Sequence, residues 1–131
     1  MKTFEEKWDF IFRRRPGIVQ TKTELEYVHG LMEECKPESY LEIGTAEGDS
    51  LYVLGSLIPE NGRIYWVDKD EQWPRVRRQE VEKLLAPRMI TGYSGLSQDA
   101  EVTGSFDVVL IDGGHEYETV LSDARRFAPL A

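Results

Sequence analysis

From Tyr40 onward the chain repeats one arrangement, a short apolar run, a turn and then a stretch with helical spacing, and this alternation limits the fold more than any other feature. The runs Tyr40–Ile43, Arg63–Val67, Arg88–Thr91 and Phe106–Ile111 read as strands, and the stretches Gly48–Leu57, Pro74–Leu85 and Tyr117–Phe127 as helices. Only a poor helical signal lies around Ser97–Val102. The last run, "FDVVLID", is apolar nearly throughout, as expected of a strand buried on both faces of a parallel sheet. Strands alternating with helices imply crossover connections and an open, doubly wound α/β sheet, mainly parallel.

Ahead of this repeat, the first 35 residues read as two helices. In the second, Thr23 and Glu26 have capping-box spacing, and Leu25, Val28, Met32 and Cys35 fall on one face that should meet a core. His29 sits beside that stripe and is expected to be partly exposed, and Pro37 should end the helix. Cys35, the one cysteine, cannot form an intramolecular disulfide and is expected to pack as a small hydrophobe. With no repeat or linker, the 131 residues make one domain, N-terminal helices over 1–36 and an α/β core over 37–131.

Sixteen basic against 24 acidic residues give a net charge of −8, which opposes attraction to a nucleic acid or an anionic membrane. The basic clusters Arg13–Arg15 and Arg75, Arg77, Arg78 read as solvated helix faces. No apolar run approaches the roughly 20 residues of a membrane span, and the N-terminus lacks the pattern of a signal peptide, so a cytoplasmic protein is expected.

The turn after the first strand reads "YLEIGTAEGDS". At the carboxyl end of a first strand, glycines let the backbone approach a ligand closely. A dinucleotide fingerprint would need glycines at positions 44, 46 and 49, where this chain has Gly44, Ala46 and Asp49. An acid where the helix begins would repel a pyrophosphate, which disfavours an NAD-dependent oxidoreductase. A plain tight turn with helix-capping acids is the alternative to a ligand site. The pattern Glu42-x-Gly44-x-Ala46-x-Gly48 resembles the first motif of class I S-adenosylmethionine-dependent methyltransferases, whose cofactor carries no phosphate. The resemblance implies a Rossmann-like fold with Glu42, Gly44, Thr45, Ala46, Gly48 and Ser50 lining the methionine end of the cofactor, Glu42 attracting its ammonium.

The second strand runs into "IYWVDKD", placing Asp68 24 residues after Gly44, near the offset at which an acid receives ribose hydroxyls in nucleotide-binding α/β folds. Asp70 is a further candidate, or a solvated loop acid. The third strand enters "TGYSG", where relatives place a residue against adenine; Tyr93 by stacking and Ser94 by hydrogen bonding are both open.

The run "FDVVLIDGGHEYETVLSDARRFAPL", taken with "EIGTAEGDS", is similar to the group containing cephalosporin hydroxylase-like proteins and macrocin or rhamnosyl O-methyltransferases. The resemblance implies O-methylation of a small molecule or sugar. It also implies a divalent metal such as Mg²⁺ held partly by Asp112, since hard cations take oxygen ligands. His115 is the histidine placed to act as general base, with a helix-cap or core hydrogen bond as its other reading.

Relatives of this class carry further strands, and here the pattern stops with the helix after the fourth, as in a fragment or a naturally short relative. If the strand order follows that family, 3-2-1-4, the last strand has an open outer side, and a homo-oligomer or a completing chain segment is expected to cover it unless the helix after it folds across. The alternative function is a non-catalytic S-adenosylmethionine- or nucleoside-binding module, or an assembly module, derived from the same fold.

Overall fold

Strand alternation sends successive side chains to opposite faces, and in the computed structural model both faces are covered. The structure describes residues 2–14, 22–44, 48–68, 75–95, 100–102 and 104–111. Its elements are α1 (Phe4–Arg14), α2 (Lys22–Cys35), β1 (Ser39–Ile43), α3 (Asp49–Gly55), β2 (Arg63–Asp68), α4 (Arg75–Leu85), β3 (Met89–Ser94) and β4 (Val108–Ile111). All four strands are parallel, as the strand–helix alternation predicts, and their order is β3-β2-β1-β4, as the resemblance implies. Tyr40 on β1 lies opposite Ile64 on β2 and Val108 on β4. This register places even-numbered side chains of β1, β2 and β4 on one face.

On that face Tyr40, Ile64 and Trp66 pack with Phe4 and Ile11 of α1, Leu25 and Met32 of α2, Leu51 and Leu54 of α3, and Val81 and Leu85 of α4. The other face carries Leu41, Ile43 and Val67 under Ala100 and Phe106. All four described helices therefore share one face, and the expected helix over 117–127 lies outside the described residues. Residues 100–102, where the helical signal is poor, are not helical.

Several expectations need correction. Val108–Ile111 are half-buried rather than buried, because among the described residues β4 pairs on one side only, with β1. Thr23 lies inside α2 and not at its cap. A reciprocal capping box forms instead at α1, where the Glu6 amide donates to Thr3 Oγ1 at 3.2 Å and the Thr3 amide donates to Glu6 Oε1 at 3.1 Å. Cys35 is exposed, its thiol 3.0 Å from the Leu31 carbonyl, since the apolar stripe leaves the core at the last turn. Lys36 then takes a left-handed φ of 50° ahead of Pro37, which ends α2 as expected. His29 is buried, because α1 crosses over it.

Candidate functional site

The carboxyl ends of β1 and β2 bring together two carboxylates that the core almost wholly covers. Glu42 is 0% exposed and accepts a 2.6 Å hydrogen bond from the Tyr40 hydroxyl, two residues back on the same face. Asp68, the last residue of β2, is 6% exposed, and its carbonyl accepts a 2.7 Å bond from the Gly95 amide. A charged group stays in such a place only with partners of opposite charge or hydrogen bonding. Both carboxylates lie on the helix-covered face.

Between them the chain leaves β1 at Gly44, with φ of 88°, and enters α3 at Gly48, with φ of 86°. Both values are left-handed, a region in which a Cβ is disfavoured. The Gly44 amide donates to the Val67 carbonyl at 2.8 Å, so the turn begins fastened to β2. Thr45 and Ala46 lie outside the described residues. Ser50 is buried in the first turn of α3.

Asp49 corrects one step of the sequence argument. Its carboxylate, 7% exposed, meets the guanidinium of Arg77 on α4, 12% exposed, at 3.0 Å. An acid at a helix N-terminus is also favoured by the helix dipole. Its charge is engaged by α4, so Asp49 no longer weighs against a phosphate at this turn, and the objection to a dinucleotide rests on Ala46. Arg77 and its neighbour Arg78 are half-buried at the site rather than a solvated face. Arg13 is exposed as expected, while Arg15 lies outside the described residues.

On β3, Ser94 is the register partner of Asp68, and its hydroxyl accepts a short hydrogen bond from Arg78 Nη1. Arg78 also lies 5.5 Å from the ring of Trp66, whose indole N–H donates to Glu82 at 3.1 Å. Tyr93 turns to the opposite face and packs toward Leu41, Ile43 and Val67. The structure thus groups Glu42, Gly44, Gly48, Ser50, Asp68 and Ser94 at one end of the sheet and sets Tyr93 apart. Asp70, Asp112 and His115 lie outside the described residues, which contain no group of three or more His, Cys, Asp or Glu able to hold a metal.

Sequence reasoning missed Tyr40, Arg77 and Arg78. Tyr40 was legible from its place two residues before Glu42 on a strand; the arginines needed knowledge of which helix face meets α3.

Residues 41–131 match the model of a methyltransferase domain family. The chain belongs to that family. It is 23% identical over 103 residues to a catechol O-methyltransferase of Niastella koreensis, covering 74% of this chain and 47% of that protein. A probable cobalt-precorrin-6B C(15)-methyltransferase (decarboxylating) of Thermoplasma volcanium is 27% identical over 107 residues, covering 81% of this chain and 53% of its own length. The fold matches that of an SAH-bound methyltransferase from Podospora anserina with a TM-score of 0.73 at 16% identity, over 98% of this chain and 57% of the other. The methyltransferase domain thus spans about half the length of the curated relatives it matches. No described helix is long and apolar enough to cross a membrane.

Proposed function

We propose that this chain is an S-adenosylmethionine-dependent methyltransferase that acts on a hydroxyl of a small molecule or sugar. The observation that carries the reading is the pair of buried carboxylates, Glu42 and Asp68, at the carboxyl ends of adjacent parallel strands on either side of a turn with two left-handed glycines. The donor set fits the cofactor. A carboxylate accepts two hydrogen bonds from a vicinal diol, the role of Asp68 toward the ribose. Glu42 attracts the ammonium of the methionine end, and Tyr40 fixes that carboxylate's rotamer. Gly44 and Gly48, with Thr45, Ala46 and Ser50, shape the backbone around the same end. Ser94 shares a register position with Asp68 and suits the adenine side better than Tyr93.

When bound, the cofactor supplies an electrophilic methyl on a sulfonium. The protein's part is to hold it in line with the acceptor oxygen and keep water out. In this reading His115 is the base that removes the acceptor's proton, and Asp112 would be an oxygen ligand for Mg²⁺.

The second reading is a cofactor-binding or assembly module without catalysis. Transfer of labelled methyl groups to a panel of hydroxylated small molecules separates the two. Labelled product is expected, and firm cofactor binding with no product from any acceptor would favour the module. The outer side of β4 is where we place a further strand, from additional sequence or a second copy. Sedimentation showing a monomer at high concentration would rule out the second copy.

A further inference from the structure

The opposite end of the sheet holds a constellation that cofactor binding does not use. A cavity of about 860 Å³ opens at the amino ends of the strands, between Glu38 ahead of β1, Pro59 and Glu60 ahead of β2, and Arg88 ahead of β3. Lys7 of α1 lines it and is 1% exposed. Its Nζ lies 2.9 Å from His29 Nε2 and donates to the Val53 carbonyl at 3.3 Å. On the far side of the ring, His29 Nδ1 faces Glu33 Oε1 at 3.2 Å. A carboxylate at Nδ1 holds the imidazole proton there, leaving the Nε2 lone pair directed at Lys7.

Carboxylate, imidazole and amine are therefore in series, the arrangement by which a base activates a nucleophile. We propose that this cavity is a covalent binding site for a small aldehyde or ketone, which Lys7 captures as an imine. His29 Nε2 accepts a proton from the Lys7 ammonium, and the freed lone pair attacks the carbonyl carbon. A proton passes from the attacking nitrogen to the new alkoxide to give the carbinolamine, whose hydroxyl then leaves as water with the proton returned by His29, so that ammonium and carbonyl become a protonated imine and water with no other reactant.

Burial lowers the Lys7 pKa to about 8, with Arg88 acting in the same direction and Glu33 opposing. The neutral amine is thereby roughly two orders of magnitude more populated near neutral pH than for an ordinary lysine. Burial, and then the Lys7 charge, keep His29 below the usual histidine range, while Glu33 and Glu26 oppose. The remaining charges on the cavity are the exposed Lys2, Lys36, Glu38 and Glu60. Arg88 is committed to the carbonyls of Ser56, Ile58 and Leu85. Met32, Tyr52, Leu57 and Leu84 supply an apolar wall, which suits a carbonyl compound with an apolar or aromatic body.

The test is reductive trapping of the 131-residue chain with benzaldehyde and cyanoborohydride near neutral pH, read by intact mass and peptide mapping. A benzyl adduct at Lys7 is expected, formed at least tenfold faster than at Lys2 or Lys36. His29→Gln should slow it about tenfold without changing the surface lysines, and Lys7→Arg should abolish it. Modification of Lys2 or Lys36 with Lys7 unmodified, or a Lys7 rate no higher than theirs, would overturn the proposal. The map of the unaltered chain decides this even if a variant fails to fold.

Discussion

The two ends of the sheet carry buried charge in opposite ways. At the carboxyl end the buried groups are acids, Glu42, Asp49 and Asp68, set around a glycine turn, with Glu42 partnered from β1 and Asp49 from α4. At the amino end the buried groups are bases, Lys7 and His29, which neighbouring backbone and Glu33 hold from α1, α2 and α3. Folded chains bury charge at a cost, so each end implies an advantage that an apolar residue would not supply. The acids suit a cationic, hydroxylated ligand, and the bases suit an electrophile.

The largest effect expected from disturbing one end alone is on stability. Arg77→Ala removes the counter-ion of a carboxylate that is 7% exposed, and breaking such a pair costs about 3 kcal/mol. Urea unfolding should show this as a lower midpoint, and an unchanged midpoint would mean that α4 does not anchor the turn. Next is Asp68→Ala, which should weaken S-adenosylmethionine binding by about 1.5–3 kcal/mol with the fold intact. Calorimetry on the folded variant checks it. The same titration on Lys7→Met should give wild-type affinity, and a comparable loss there would collapse the distinction between the ends. Thr3→Ala removes the box that starts α1 and should cost about 1 kcal/mol in thermal unfolding, felt at the amino end only.

The most gradual signal comes from pH, and it belongs to the bases. His29 is held below its ordinary 6.5, so the unfolded chain takes up a proton that the folded chain resists. Stability should fall as pH drops through that range. Lys7 titrates near 8 when folded and near 10.5 when not, so stability should rise with pH between the two values. Comparing wild type with His29→Gln isolates the first window and comparison with Lys7→Met the second. Identical pH profiles would show that neither base titrates differently on folding.

The strands and helices were legible because period-2 and period-3.6 apolar patterns report burial directly, whereas the order β3-β2-β1-β4 came from the family resemblance and not from the patterns. Gly44, Gly48 and Asp68 were legible for a related reason, since a left-handed turn and a strand-end acid leave local marks. What was not legible depended on a partner from elsewhere in the chain. His29 reads as surface until α1 is laid across α2, Cys35 reads as core until the helix is seen to leave it, and Arg77 reads as solvated until α4 meets Asp49. The capping box was placed at Thr23 although the same spacing occurs at Thr3, because a local motif does not reveal where its helix begins.

The central claim is that the acidic end holds a methyl donor, and calorimetric titration of the purified chain with S-adenosylmethionine, its demethylated product and NAD tests it most directly. Saturable binding of the first two and not of NAD, weakened in Asp68→Ala, is the predicted result. Absence of binding by either sulfur compound, or equal binding of NAD, would contradict it.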